Sequence, residues 1–250
     1  MARLWLKVVM LALALFVPVQ PASAEEKRVA LVIGNADYRN MAKMKHPVND
    51  AADIGAALTR MGFVVTQVNN ATAEQMRNVL SEFGEKAKQV DYAVVFYTGH
   101  AIQANGMSWL IPVDSPAETL LDIANHATIL DEITVQLSGA ERLAVVLLDV
   151  ARNNPFPDSK VPPVRETPQL APKNLLIGYS TRAGQTVSDS EGRNSPFTTA
   201  LLRNIETPGL DIGDLVNRVR DDVVKATAAN QIPFFRLSGP DEPAPLVPSN

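Results

Sequence analysis

The chain contains no cysteine. That absence excludes disulfides, thiolate metal sites, a lipid-anchored cysteine and any thiol nucleophile. Histidine is scarce as well: His46, His100 and His126 are the only three, and no short ligand spacing relates them. No metal site or other cofactor is therefore expected. Basic tracts are missing, and 23 basic against 27 acidic residues give a net charge of −4, so a nucleic-acid partner is not expected. The sequence has no G-x-G-x-x-G or Walker A loop, no H-E-x-x-H and no G-x-S-x-G elbow. Dinucleotide, nucleotide, zincin and hydrolase-elbow chemistries lose their usual signatures with them. No repeat with a period of about 20–50 residues is evident.

What is present is an ordinary globular balance, 46% hydrophobic and 20% charged over 250 residues. That suits one large domain. The first 24 residues stand apart. Arg3 and Lys7 supply a positive start, Val8 to Val17 is an apolar run of ten residues, and Ala22-Ser23-Ala24 is a small-residue cleavage site. The layout is that of a secretory signal peptide, and the run is short for a membrane span. Cleavage after Ala24 is expected to leave an exported protein, periplasmic or extracellular, with no stable membrane anchor.

From residue 25 to 237 strand and helix patterns alternate. Arg28 to Asn35 and Asp91 to Tyr97 are apolar runs of the kind buried on both faces of a sheet, and Arg142 to Val150 is the most strand-like stretch. Asn49 to Met61 reads as a helix with Ile54, Leu58 and Met61 on one face and Gly62 as its stop. Phe63 to Val68 is a short strand. Thr72 and Gln75 form a capping box ahead of Met76, Val79, Leu80 and Phe83. Gly106 marks a hairpin between Ile102 and Ile111, and Thr128 to Leu137 reads as a helix. Residues 152–173 hold six prolines, which rules out a helix or an inner strand. Asn174 to Thr181 resumes the sheet, Ser195-Pro196 and Asp211 open two more helices, and Ile232 to Leu237 fits a last strand. The proline-dotted tail, 238–250, is expected to be loose. Alternation of this kind implies a mostly parallel sheet with helices on both faces, and its sites beyond the carboxyl ends of the strands.

Two places meet that condition. His100 follows a strand directly after Gly99. A histidine there is most often structural, although its position suits proton transfer. Asp149 to Asn154 leaves the best strand, where Asp149 could cap a turn or hold a ligand. Asp50, in the first turn of a predicted helix, reads on its own as an ordinary helix-start acid.

These pieces in order (RVALVIGNADY, HPVNDAADIGAALTRMGF, DYAVVFYTGH, WLIPVD, LLDVARNNPF, LLIGYST and GRNSPFTTALL) resemble the caspase fold, above all its bacterial caspase-like and metacaspase-like members. The resemblance implies a three-layer α/β/α sandwich around a six-stranded, mostly parallel sheet. It implies that 152–173 matches the loop between the two subunits of processed relatives. His100 matches the family histidine, and Ala101 matches a residue whose N–H helps bind the oxyanion. The cysteine nucleophile falls on Ala151, whose own N–H matches the second oxyanion donor. An alanine methyl group cannot attack a carbonyl. Val150 and Ala101 also depart from the usual alanine and glycine, and changes on both sides of the dyad favour a natural loss over a single inactivating substitution. Asp50 and Asp149 match the acidic pocket that holds arginine or lysine. Calcium, needed by some metacaspases, gains no acidic ligand cluster here.

The expected function is an exported pseudo-peptidase that binds a peptide or protein through exposed Arg or Lys. One alternative is a cysteine-type endopeptidase whose nucleophile is missing in this chain alone. The other is a plain protein-interaction domain.

Overall fold

The computed structural model describes residues 26–104, 106–116, 118–151, 174–182, 185, 190–238 and 245–249. The expected signal peptide and the proline-rich 152–173 stretch lie outside the described residues.

Strand β1 (Arg28–Gly34) is buried along its whole length. Helix α1 (Pro47–Arg60) begins with Pro47 in its first turn and buries Ala51, Ile54 and Leu58 at helical spacing. Strand β2 (Val64–Asn69) is largely exposed, as an edge strand can be. Helix α2 (Ala73–Lys86) carries the capping box of Thr72 and Gln75 in full. Strand β3 (Val90–Thr98) runs to the centre of the molecule. The hairpin of β4 (Ala101–Ala104) and β5 (Met107–Leu110) turns at Gly106, whose φ of 76° is free of strain in glycine. Next come α3 (Leu120–His126), β6 (Thr128–Ile129) and α4 (Leu130–Gln136). The chain continues through β7 (Ala140–Asp149), β8 (Leu175–Tyr179), α5 (Pro196–Asn204), α6 (Ile212–Ala226) and β9 (Phe234–Ser238).

Six strands form one sheet in the order β2-β1-β3-β7-β8-β9, parallel except for β9. Alternate residues of the central strands serve two cores. Leu31, Val95, Val146 and Leu148 meet Met76, Val79 and Phe83 of α2 and Ile133 of α4. Val32, Phe96, Val145 and Leu147 meet Ile54 and Leu58 of α1, Phe197 of α5 and Val219 of α6. The strand periodicity of two therefore builds the three-layer sandwich that the alternation implied. A third, smaller core joins Tyr38, Ile102, Trp109 and Ile123 around the β4-β5-β6 sheet.

Two expectations are corrected. The helix expected over Thr128 to Leu137 starts only at Leu130, because Thr128 and Ile129 pair with Leu110 and Trp109 of β5. Residues 245–249 of the tail, expected to be loose, are docked. Leu246 is buried in the second core, Arg28 donates to its carbonyl, and Gly209 N–H donates to the carbonyl of Val247 at 2.8 Å. One apolar side chain and two hydrogen bonds to the tail's backbone carbonyls outweigh the prolines around them.

Candidate functional site

Strands β3 and β7 are neighbours with Thr98 opposite Asp149. His100 and Ala151 each lie two residues beyond that matched pair. The register thus brings both positions to one end of the sheet, on chains spaced about 4.8 Å apart where they leave it.

His100 is held by its backbone and by its ring. Gly99 has φ 153°, and a Cβ added there would lie 2.6 Å from the Tyr38 hydroxyl and 2.9 Å from that of Tyr97. His100 N–H donates to Tyr38 Oη at 2.7 Å, and Tyr97 Oη lies 2.8 Å from the His100 carbonyl. Burial raises both phenols and so keeps these hydroxyls protonated. The Tyr38 ring sits 4.5 Å from the imidazole, tilted by 59°. His100 Nε2 lies 2.7 Å from the carbonyl of Ala42. A carbonyl only accepts, so Nε2 carries the proton and the neutral ring keeps its lone pair on Nδ1. No hydrogen bond to Nδ1 occurs among the described residues. Burial lowers the basicity of the ring, with the Ala42 bond opposing it in part.

Ala101 opens β4. It pairs with Leu110, while Ile111 N–H donates to the His100 carbonyl at 3.0 Å. That places Ala101 and Leu110 in a non-hydrogen-bonded pair of the antiparallel ladder, so Ala101 N–H points away from β5. Among the described residues it has no acceptor. Ala151 itself is half-buried. Its predecessor Val150 is pinned by Ser180, whose hydroxyl accepts from Val150 N–H at 3.0 Å and lies 3.2 Å from its carbonyl.

The two aspartates meet behind this edge. Asp50, on α1, and Asp149, the last residue of β7, are 1% and 4% exposed, which leaves their charge poorly solvated. Ser195, the N-cap of α5, joins them: its N–H donates to Asp50 Oδ1 at 3.0 Å and its hydroxyl donates to Asp149 Oδ2. Thr198 Oγ1 donates to the same Asp149 oxygen at 3.1 Å. Asp50 Oδ2 is buried with no partner. Burial, then the nearby Asp149 carboxylate, pushes Asp50 up to about 8. Burial also raises Asp149, against the hydroxyls that stabilise its charge. At neutral pH the pair therefore holds a proton that two solvated aspartates would have lost.

The turn that delivers Ser195 is gripped by α1 and the residues before it. Lys45 Nζ donates to the Ser190 carbonyl at 3.2 Å, and Asn49 Nδ2 to that of Arg193 at 3.3 Å. His46 places Nδ1 3.2 Å from the Arg193 carbonyl and Nε2 3.0 Å from that of Ser190. Asp53 accepts from the Arg193 guanidinium at 2.8 and 3.0 Å and from Asn194 at 2.7 Å.

The structure thus groups the expected residues into two linked pairs, His100 with Ala151 and Asp50 with Asp149. Ala42, Tyr38, Tyr97, Ser180 and Ser195 complete the site and were not foreseen. Only Ser195 left a local signal, as a serine before Pro196. A backbone carbonyl such as that of Ala42 leaves none.

Residues 27–243 match the family described as the caspase domain. Over 161 residues the chain is 30% identical to mucosa-associated lymphoid tissue lymphoma translocation protein 1 of Homo sapiens, covering 63% of this chain and 19% of that protein. Its Mus musculus homolog is 29% identical over 161 residues, covering 63% and 18%. The chain therefore spans about a fifth of the length of these curated relatives. The crystal structure of caspase-1 from Spodoptera frugiperda superposes with a TM-score of 0.66 at 15% identity, covering 90% of this chain and 91% of that one, a likeness of fold. With the matched segment taking in the whole six-stranded sheet and both pairs at its edge, the chain belongs to the caspase-domain family.

Proposed function

We propose that this domain is an exported pseudo-peptidase, which holds a peptide or protein by an arginine or lysine side chain and leaves its amide bonds intact. The observation that carries the reading is the buried pair Asp50 and Asp149, with Asp50 Oδ2 unpartnered. A buried carboxylate oxygen with no donor is costly on its own, and a guanidinium supplies the donors and the charge it lacks. The missing catalysis follows from composition. Position 151 presents a methyl group, and no cysteine anywhere in the chain can stand in for it.

Calorimetry with one peptide carrying either arginine or citrulline at the same position tests the reading. The arginine form should bind, and citrulline or an Asp149→Asn variant should weaken it at least about tenfold, the loss of one charge-assisted contact. Equal affinity for both peptides would overturn it.

A further inference from the structure

Three features of the sheet edge remain unused by a protein that only binds: the lone pair on His100 Nδ1, the uncommitted N–H of Ala101, and the network that fixes both. We propose that this edge is a general-base esterase site, in which His100 activates water toward an aryl or similarly activated acyl ester while Ala101 N–H binds the carbonyl oxygen.

The orientation is already set. The Ala42 carbonyl at 2.7 Å keeps the proton on Nε2, so Nδ1 is the basic nitrogen. His100 is partly exposed. The Tyr38 and Tyr97 hydroxyls hold the His100 backbone from both sides, and the same backbone carries Ala101 N–H. Base and oxyanion donor are therefore adjacent residues on one braced segment. Burial lowers the basicity of His100 and keeps the ring in its neutral, proton-accepting form around neutral pH.

The step balances without any further reagent. Water oxygen bonds to the acyl carbon as its proton passes to Nδ1, and the carbonyl oxygen takes up negative charge against Ala101 N–H. The tetrahedral adduct then expels the aryloxide, which gains the proton back from the imidazolium. The products are a carboxylic acid and a phenol. An aryloxide leaves without prior protonation, whereas an amide nitrogen does not, so the site accepts esters and leaves peptides intact. No nucleophile is required at position 151.

The test uses the purified protein with p-nitrophenyl acetate and with aryl esters of acetyl-arginine and acetyl-norleucine. His100→Gln should lower acetate turnover about 100-fold or more, the usual worth of a positioned base. Ala101→Pro removes the donor without removing a ladder bond and should cost about 100-fold, with melting temperature as the folding control. His126→Gln should leave the rate unchanged. The rate should rise with pH through a midpoint below that of free imidazole, with a solvent deuterium isotope effect marking proton transfer. Unchanged turnover by His100→Gln overturns the proposal, and so does an acylated His100 formed without an isotope effect. The ester arms keep the two readings apart. His100-dependent acetate turnover with no preference for the arginine ester defeats the acidic pocket and leaves the esterase standing. Binding of the arginine peptide without any His100-dependent turnover does the reverse.

Discussion

Asp50 sets the pH behaviour expected of the proposed arginine site. Its carboxyl is pushed up to about 8 in the free protein, first by burial and then by Asp149. A bound guanidinium favours the ionised form, so binding must expel the proton. The sign follows from linkage: the free state binds the proton more tightly than the complex, so affinity falls as pH drops below about 8. Arginine-peptide affinity should decline by up to about tenfold per pH unit below that point. Near pH 7, heats measured in buffers of different ionisation enthalpy should reveal proton release on binding. Asp50→Asn should abolish both effects. An affinity flat between pH 6 and 8 would mean that the arginine does not meet Asp50.

At the scale of elements, the site depends on how closely α1 lies on β1. A Cβ at Gly34 would sit 2.5 Å from the Pro47 carbonyl and 2.8 Å from Ala51 Cβ. Both contacts are with the start of α1, three residues before and one after Asp50. Gly34→Val should therefore displace the helix that carries Asp50, with a stability loss of about 1–3 kcal/mol in urea unfolding. It should weaken arginine-peptide binding more than it alters the His100 ester rate, because His100 hangs from β3. Much of this architecture was legible in the chain. The central strands read as unbroken apolar runs because helices cover both their faces, and the Thr72–Gln75 capping box fixed the start of α2. Residues 128–129, expected to open a helix, are strand instead, and no expectation covered α3 before them. Thr119 and Asp122 do form a capping box, but β6 depends on pairing with β5 nearly 20 residues away, which no local pattern encodes. The site divides in the same way. Asp50, Asp149 and His100 were found by their place in an ordered set of motifs. The Ala42 carbonyl and the Tyr38 hydroxyl arrive from another part of the fold, and Tyr97 reads only as a strand residue three positions before His100; none carries a mark of its role.

Across the whole molecule, both ends of the described chain gather at the end of the sheet opposite the site. Arg28, at the start of β1, stacks 4.4 Å over the Tyr92 ring and donates to the carbonyl of Leu246. The site lies beyond the other ends of β3 and β7. Removal of a leader before residue 25 would thus leave the site untouched. Protein recovered from the periplasm or medium should begin at Glu25 on N-terminal sequencing, and an intact Met1 in the cytosol would refute the export reading.

The grip of α1 on the turn before α5 has a mechanical corollary. His46, Asn49 and Asp53 reach partners some 140 residues along the chain, and β7 pairs with β8 across the same gap. Residues 152–173 fall between the two halves of every one of these contacts. A single backbone cut there would sever the polymer and leave the contacts in place. Nicked protein should elute as one particle in native chromatography and split into two bands only in denaturant. The halves, separated in denaturant and refolded together, should find each other and rebuild a site that neither contains alone.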